Sequence, residues 1–117
     1  MRAIKIDSKN KTVSEIDVSD NSTERLRQMQ AVVGGCIEPA HDLDNCDTVY
    51  VNEEGLFGAE AFFEIEGGHQ PFAGDGIVLG FLPYTGDSTS AKSSVSEIRA
   101  KVKFLSLEEV RRQLKLI

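Results

Sequence analysis

The sequence predicts an α+β fold: a small mixed, mostly antiparallel sheet of about five to seven strands with two helices. Three observations carry this. Short runs of alternating apolar residues recur along the chain, separated by turns rich in Gly, Asn and Asp. Only two stretches combine helical apolar spacing with a capping residue. Strand and helix patterns do not alternate regularly, so a doubly wound parallel sheet is not expected. At 117 residues the chain reads as a single domain, 1–117, long enough to bury a core without disulfide or metal support.

Residues 1–6, MRAIKI, read as a strand, and the polar run DSKNK turns the chain into a second strand at 12–18, TVSEIDV. In DNSTERLRQMQAVVGG, Asn21 stands three residues before Glu24, an N-cap arrangement. Leu26, Met29 and Val33 share a helical face, and Gly34-Gly35 ends the helix. GCIEP, 35–39, reads as a short strand stopped by Pro39, and AHDLDNCD as a loop.

In DTVYVN, 47–52, Val49 and Val51 face one way, Thr48 and Tyr50 the other. NEEGLFG turns, and AFFEIE, 61–66, puts Ala61, Phe63 and Ile65 on one face. GGHQPFAGDG is a loop. GIVLGFLP, 76–83, is apolar on both faces, as a central covered strand would be. Residues 84–94, YTGDSTSAKSS, read as a mobile loop. SEIRAKVKF, 96–104, alternates as a strand, with Ile98, Ala100, Val102 and Phe104 inward and Arg99, Lys101 and Lys103 on a basic outer face. Ser106 and Glu109 form a capping box, and Leu107, Val110 and Leu114 an apolar helical stripe.

The charge is uneven. Between Gln28 and Ala91 there is no Lys or Arg, yet eleven acids fall there; all thirteen basic residues lie in the flanks. The net charge of -6 understates this segregation. Binding of nucleic acid or an anionic membrane by the middle segment is therefore disfavoured. The acids Asp42, Asp44, Asp47, Glu53, Glu54, Glu60, Glu64 and Glu66 are the expected partner-binding surface, complementary to a basic protein.

Residues 40–55, AHDLDNCDTVYVNEEG, invite three chemical readings. Asp42, Asp44 and Glu53 match positions 1, 3 and 12 of a calcium loop, but Cys46 and Asp47 stand at positions 5 and 6, where a ligand and a glycine are needed. Cys36, His41, Cys46 and His69 offer a soft ligand set whose spacing matches no common zinc motif. Cysteine–histidine nucleophilic catalysis lacks any local signature joining the residues. No phosphate loop is present, because no Lys-Ser/Thr or helix start follows the GGHQPFAGDG glycines. No cofactor, metal or catalytic residue is expected.

The order VGGCIE at 33–38, NEEG at 52–55 and the glycine-flanked strand from Gly74 through Gly80 resembles a family of small proteins. These belong to bacteriophages, plasmids and integrative elements, and are grouped as the domain of unknown function numbered 3846. Cys36 stands where that family usually has an aromatic residue. Ala59, Glu60, Ala61, Phe62 and Phe63 replace its usual polar, proline-rich stretch. The resemblance covers about residues 1–82, with the last helix matched more loosely. It implies a phage or mobile-element context and a cytoplasmic location. The N-terminus, MRAIKIDSKN, lacks the apolar segment of a signal peptide, which agrees.

The functional expectation is an accessory protein that binds a host or mobile-element protein through its acidic surface. A sharper form is a DNA mimic that blocks a protein with a basic, nucleic-acid-binding surface. Neither direct nucleic-acid binding nor membrane binding is expected. Self-association is a further route, in which a basic face meets an acidic one. The alternative is a ligand-binding or catalytic pocket near the NEEG turn and the GGHQPFAGDG loop, using His41, Glu53, Glu54, His69 and Asp75.

Overall fold

Among the described residues, alternating apolar faces and capped turns assemble into two stacked sheets and three helices. The computed structural model describes residues 1–55 and 58–115, with side chains through residue 113. The elements are β1 (Arg2–Asp7), β2 (Thr12–Asp17), α1 (Ser22–Val33), β3 (Ile37–Asp42), β4 (Asp47–Asn52), β5 (Ala61–Ile65), β6 (Phe72–Ala73), β7 (Gly76–Phe81), β8 (Ser88–Thr89), α2 (Val95–Lys101), β9 (Val102–Ser106) and α3 (Leu107–Lys115).

The larger sheet has the order β2-β1-β7-β4-β3, with β8 also paired to β7; the smaller is β6-β5-β9. Every pairing among the described residues is antiparallel. The α+β class stands. Among the described residues four details differ from the sequence reading: the helices number three, the strands number nine where five to seven were expected, they divide between two sheets, and no parallel pair mixes either sheet.

The expected hairpin is β1–β2, closed by a turn in which Asp7 accepts the Asn10 N–H at 3.0 Å. The expected central strand is β7, held between β1 and β4 and buried from Gly76 to Gly80. Helix α1 begins where Asn21 accepts the Glu24 N–H and ends at Gly34, whose φ of 81° is open to glycine. Met29 and Val33 are buried, whereas Leu26, expected on the same face, is 43% exposed. Helix α3 starts on the expected capping box: Ser106 Oγ accepts the Glu109 N–H and Glu109 accepts that of Ser106. Leu114, the third residue of its expected stripe, lies outside the described side chains.

Two spans are corrected. The 96–104 strand is helix α2 to Lys101 and strand β9 only from Val102. Ser94 and Glu97 form a complete capping box that starts the helix. Ile98 is buried as expected, but Ala100 is exposed and Leu105 is the fully buried residue of β9. The basic strand face dissolves, since Arg99 and Lys101 lie on α2. Second, β3 runs through Pro39 to Asp42, absorbing residues expected in a loop. It tolerates Pro39 because it is an edge strand, and its register shifts between Pro39 and His41.

Three apolar clusters mark the layers. Helix α1 packs Met29 and Val33 against Ala3, Ile77 and Leu79 on one face of the larger sheet. The opposite face, with Ile4, Ile6, Val49 and Val78, meets Phe63 and Ile65 of β5 and Ile98 of α2. The outer face of the smaller sheet, Phe62 and Leu105, is covered by Val110 of α3. The strand β5 thus buries both faces, since Phe62 packs under α3 while Phe63 and Ile65 pack against the larger sheet, where the sequence reading gave it one apolar face. No helix among the described residues is long and apolar enough to cross a membrane.

Candidate functional site

The turn between β3 and β4 is tight because Leu43 N–H donates to Asp47 C=O at 2.8 Å and Cys46 takes φ of 66°. This turn presents Asp42 and Asp44 to solvent, where both are exposed. Asp42 also accepts the Thr48 hydroxyl at 2.8 Å, which orients its carboxylate. Burial, reinforced by the nearby Asp42 charge, pushes the Tyr50 hydroxyl above its ordinary pKa.

Opposite the turn, Glu66 follows β5 and its N–H donates to Lys101 C=O at 2.9 Å. Its carboxylate stands 3.8 Å from Lys101 Nζ. Glu97 sits in the first turn of α2, its carboxylate accepting the Ser94 N–H at 3.0 Å. That hydrogen bond from the Ser94 backbone holds its carboxyl below the ordinary range. Asp42, Asp44, Glu66 and Glu97 therefore surround one open cavity of 440 Å³, together with His41 and Lys101. Among the described residues four acids and one lysine line this cavity, an excess of negative charge that favours a cationic group.

Asp47 does not belong to this surface. It is fully buried, and its two oxygens accept the N–H groups of Lys92 and Ser93, each at 2.8 Å. Asn45 adds a bond to Ser93 Oγ at 2.8 Å, and Arg2 donates to the carbonyls of Ala91 and Ser93. The expected loop 84–94 therefore contains β8 and an anchored end that leads directly into the α2 cap.

The remaining acids are dispersed. Glu53 borders a second cavity of 190 Å³, whose floor includes Val51, Phe62, Phe72 and Val110. Glu54 is exposed in the turn, its N–H donating to Asn52. Glu60 and Asp75 flank a third, shallow cavity beside Lys9. Burial raises the Asp75 carboxyl above its ordinary value, although it accepts the Ser8 N–H at 2.9 Å. Glu64 is half-buried opposite Lys103 of β9. Of the eight expected acids, Asp47 is buried, Asp42, Asp44 and Glu66 line the first cavity, and Glu53 and Glu60 line the other two.

The alternative pocket set also separates. His41 lines the first cavity, Glu53 the second and Asp75 the third, while Glu54 and the exposed His69 line none of the three. The second cavity lies between the NEEG turn and the GGHQPFAGDG loop, but of the expected pocket residues it includes Glu53 alone. Cys36 is exposed and Cys46 half-buried, and among the described residues no three His, Cys, Asp or Glu side chains are grouped to hold a metal.

Sequence reasoning missed Glu97, Lys101 and Ser93 as members of the acidic cavity. The Ser94-x-x-Glu97 capping pattern was the available signal, because it places a helix, and not a strand, beside the β3–β4 turn.

No curated protein and no solved structure matches this chain. One family model does, over residues 1–103, spanning both sheets except for the last residues of β9. That match includes every residue of the acidic cavity, and by it the chain belongs to the family described as Domain of unknown function (DUF3846).

Proposed function

We propose that this protein is a binding module that takes a basic segment of a host or mobile-element protein into the acidic cavity. One observation carries the reading: Asp42, Asp44, Glu66 and Glu97 line one concavity, and Lys101, the only lysine among its described lining residues, is already engaged by Glu66. A guanidinium or ammonium entering there gains charge-assisted hydrogen bonds that the cavity's own residues leave unmade. The phage or mobile-element setting and cytoplasmic location follow from the family likeness and belong to this proposal. Mimicry of DNA receives less support, because the carboxylates divide among three concavities and do not track a regular phosphate path.

The test is a titration of the isotopically labelled protein with nona-arginine at about 0.15 M salt, where diffuse attraction is screened beyond ~8 Å. Amide shifts concentrated at 42–45, 66–67 and 97 support the cavity. Shifts spread over all acidic residues, or none, count against it.

A second reading has its own observation. The 190 Å³ cavity has an apolar floor and polar rim, the composition of a small-molecule site. Its lining includes the carboxylates of Glu38 and Glu53 at the polar rim, which can orient a ligand carrying hydrogen-bond donors. A fragment screen by ligand-observed NMR, with Val51→Trp to fill the cavity, distinguishes the two.

A further inference from the structure

Edge strands expose unpaired backbone groups, and soluble proteins guard them. Most edges here are guarded. Strand β3 carries Pro39, a register shift and the exposed charges Glu38 and Asp42. Strands β6 and β8 are two residues long, and Pro71 precedes β6. Strand β2 shows Glu15 and Asp17 to solvent and has α2 packed beside it. Strand β9 differs. It has five residues in unbroken register with β5, contains no proline, shows a single charge, Lys103, to solvent, and has no partner on its other side among the described residues. Its sequence, VKFLS, buries apolar side chains on both faces, the pattern of a central strand placed at an edge.

The phase of the ladder fixes which groups are free. Glu66 N–H donates to Lys101 C=O, so the pairs Glu64–Lys103 and Phe62–Leu105 are the hydrogen-bonded ones. Val102, Phe104 and Ser106 then turn their backbone groups outward. The N–H of Val102 is used by Arg99 C=O and that of Ser106 by Glu109. Among the described residues, neither backbone group of Phe104 has a partner on that side.

We propose that β9 pairs with β9 of a second copy, antiparallel about a two-fold axis at Phe104, joining the two small sheets into one. A two-fold contact must be self-complementary. The charges nearest β9 satisfy this: Arg99 and Lys101 precede it and Glu108 and Glu109 follow it, with Glu97 on the one side and Arg111 and Arg112 on the other about one turn farther out. Antiparallel pairing sets the basic end of one copy beside the acidic end of the other. The exposed Glu108–Arg112 contact, at 3.6 Å, is loose enough to yield Glu108 to Arg99 of the second copy. The Phe104 N–H and C=O groups exchange hydrogen bonds across the axis, an instance of strand addition.

The test is sedimentation of the full chain from about 10 μM to 1 mM, the range for a small, weak interface. The wild type should pass from monomer to dimer. Arg99→Glu, an exposed change, should weaken the dimer at least tenfold, and Arg99→Glu with Glu108→Arg should restore it. Hydrogen exchange at the Phe104 amide should slow as concentration rises. A monomer throughout the range overturns the proposal. So does a dimer indifferent to Arg99→Glu with a Phe104 amide that exchanges equally fast at both ends of the range.

Discussion

Asp47 Oδ2 accepts the Ser93 backbone N–H at 2.8 Å inside the protein, with both residues almost wholly removed from solvent. One carboxylate of the acidic stretch thus serves the fold, tying the start of β4 to the segment that introduces α2. Asp47→Asn puts an amide NH₂ against one of two N–H donors and should cost about 2–3 kcal/mol in urea unfolding, the scale of a lost bond to a charged acceptor. Asp44→Asn, at an exposed position, should stay within about 0.5 kcal/mol. Equal effects from the two would contradict the division between buried and displayed acids.

Ser94→Ala removes the acceptor for the Glu97 N–H and should destabilise the protein by about 1 kcal/mol. Because α2 supplies Glu97 and Lys101 to the cavity, amide shifts should appear there too. A stability unchanged within error would argue against the cap.

Gly80→Ala should cost about 1–3 kcal/mol by overpacking. Its added Cβ would stand 2.5 Å from the Ser90 carbonyl oxygen and 2.9 Å from Lys92 Nζ. The carbonyl is backbone and cannot rotate away, so β7 and the following strand would have to part. Thermal unfolding of the variant reads this directly, and wild-type stability would refute the close approach.

Asp75 yields a pH prediction of opposite sign to most carboxylates. Its folded pKa is raised by burial above the ordinary 3.8. Between those two values the folded chain holds more protons than the unfolded one, so this residue's contribution to stability falls as pH rises. The penalty is complete above the folded pKa and vanishes below the unfolded one. Asp75→Asn keeps an acceptor for the Ser8 N–H and should stabilise the protein at pH 7, with the gain disappearing near pH 3. A constant gain across that range would contradict the burial argument.

Local chemistry made much of the fold legible. Asn21, Glu24 and Gly34 bounded α1, and the two-sided apolar run from Gly76 located the central strand. The errors have physical causes. Ile98, Ala100, Val102 and Phe104 alternate as a strand would, yet Ile98 also meets the core from the short helix that Ser94 caps. Pro39 stops a central strand but not an edge strand, and edge position follows from long-range pairing. The burial of Asp47 depends on donors 45 and 46 residues away, which no local pattern reveals. The same holds for the cavity, since Asp44 and Glu97 meet only once the second sheet folds over the first.

The claim that the acidic cavity, and not a diffuse field, captures basic segments is tested most directly by comparing two charge reversals. Asp44→Lys lies in the cavity and Glu60→Lys outside it, both at exposed positions. The dissociation constant of nona-arginine should rise about tenfold for Asp44→Lys, a loss of ~1.4 kcal/mol, and far less for Glu60→Lys. An equal rise in both variants would show that only net charge matters and would contradict the account.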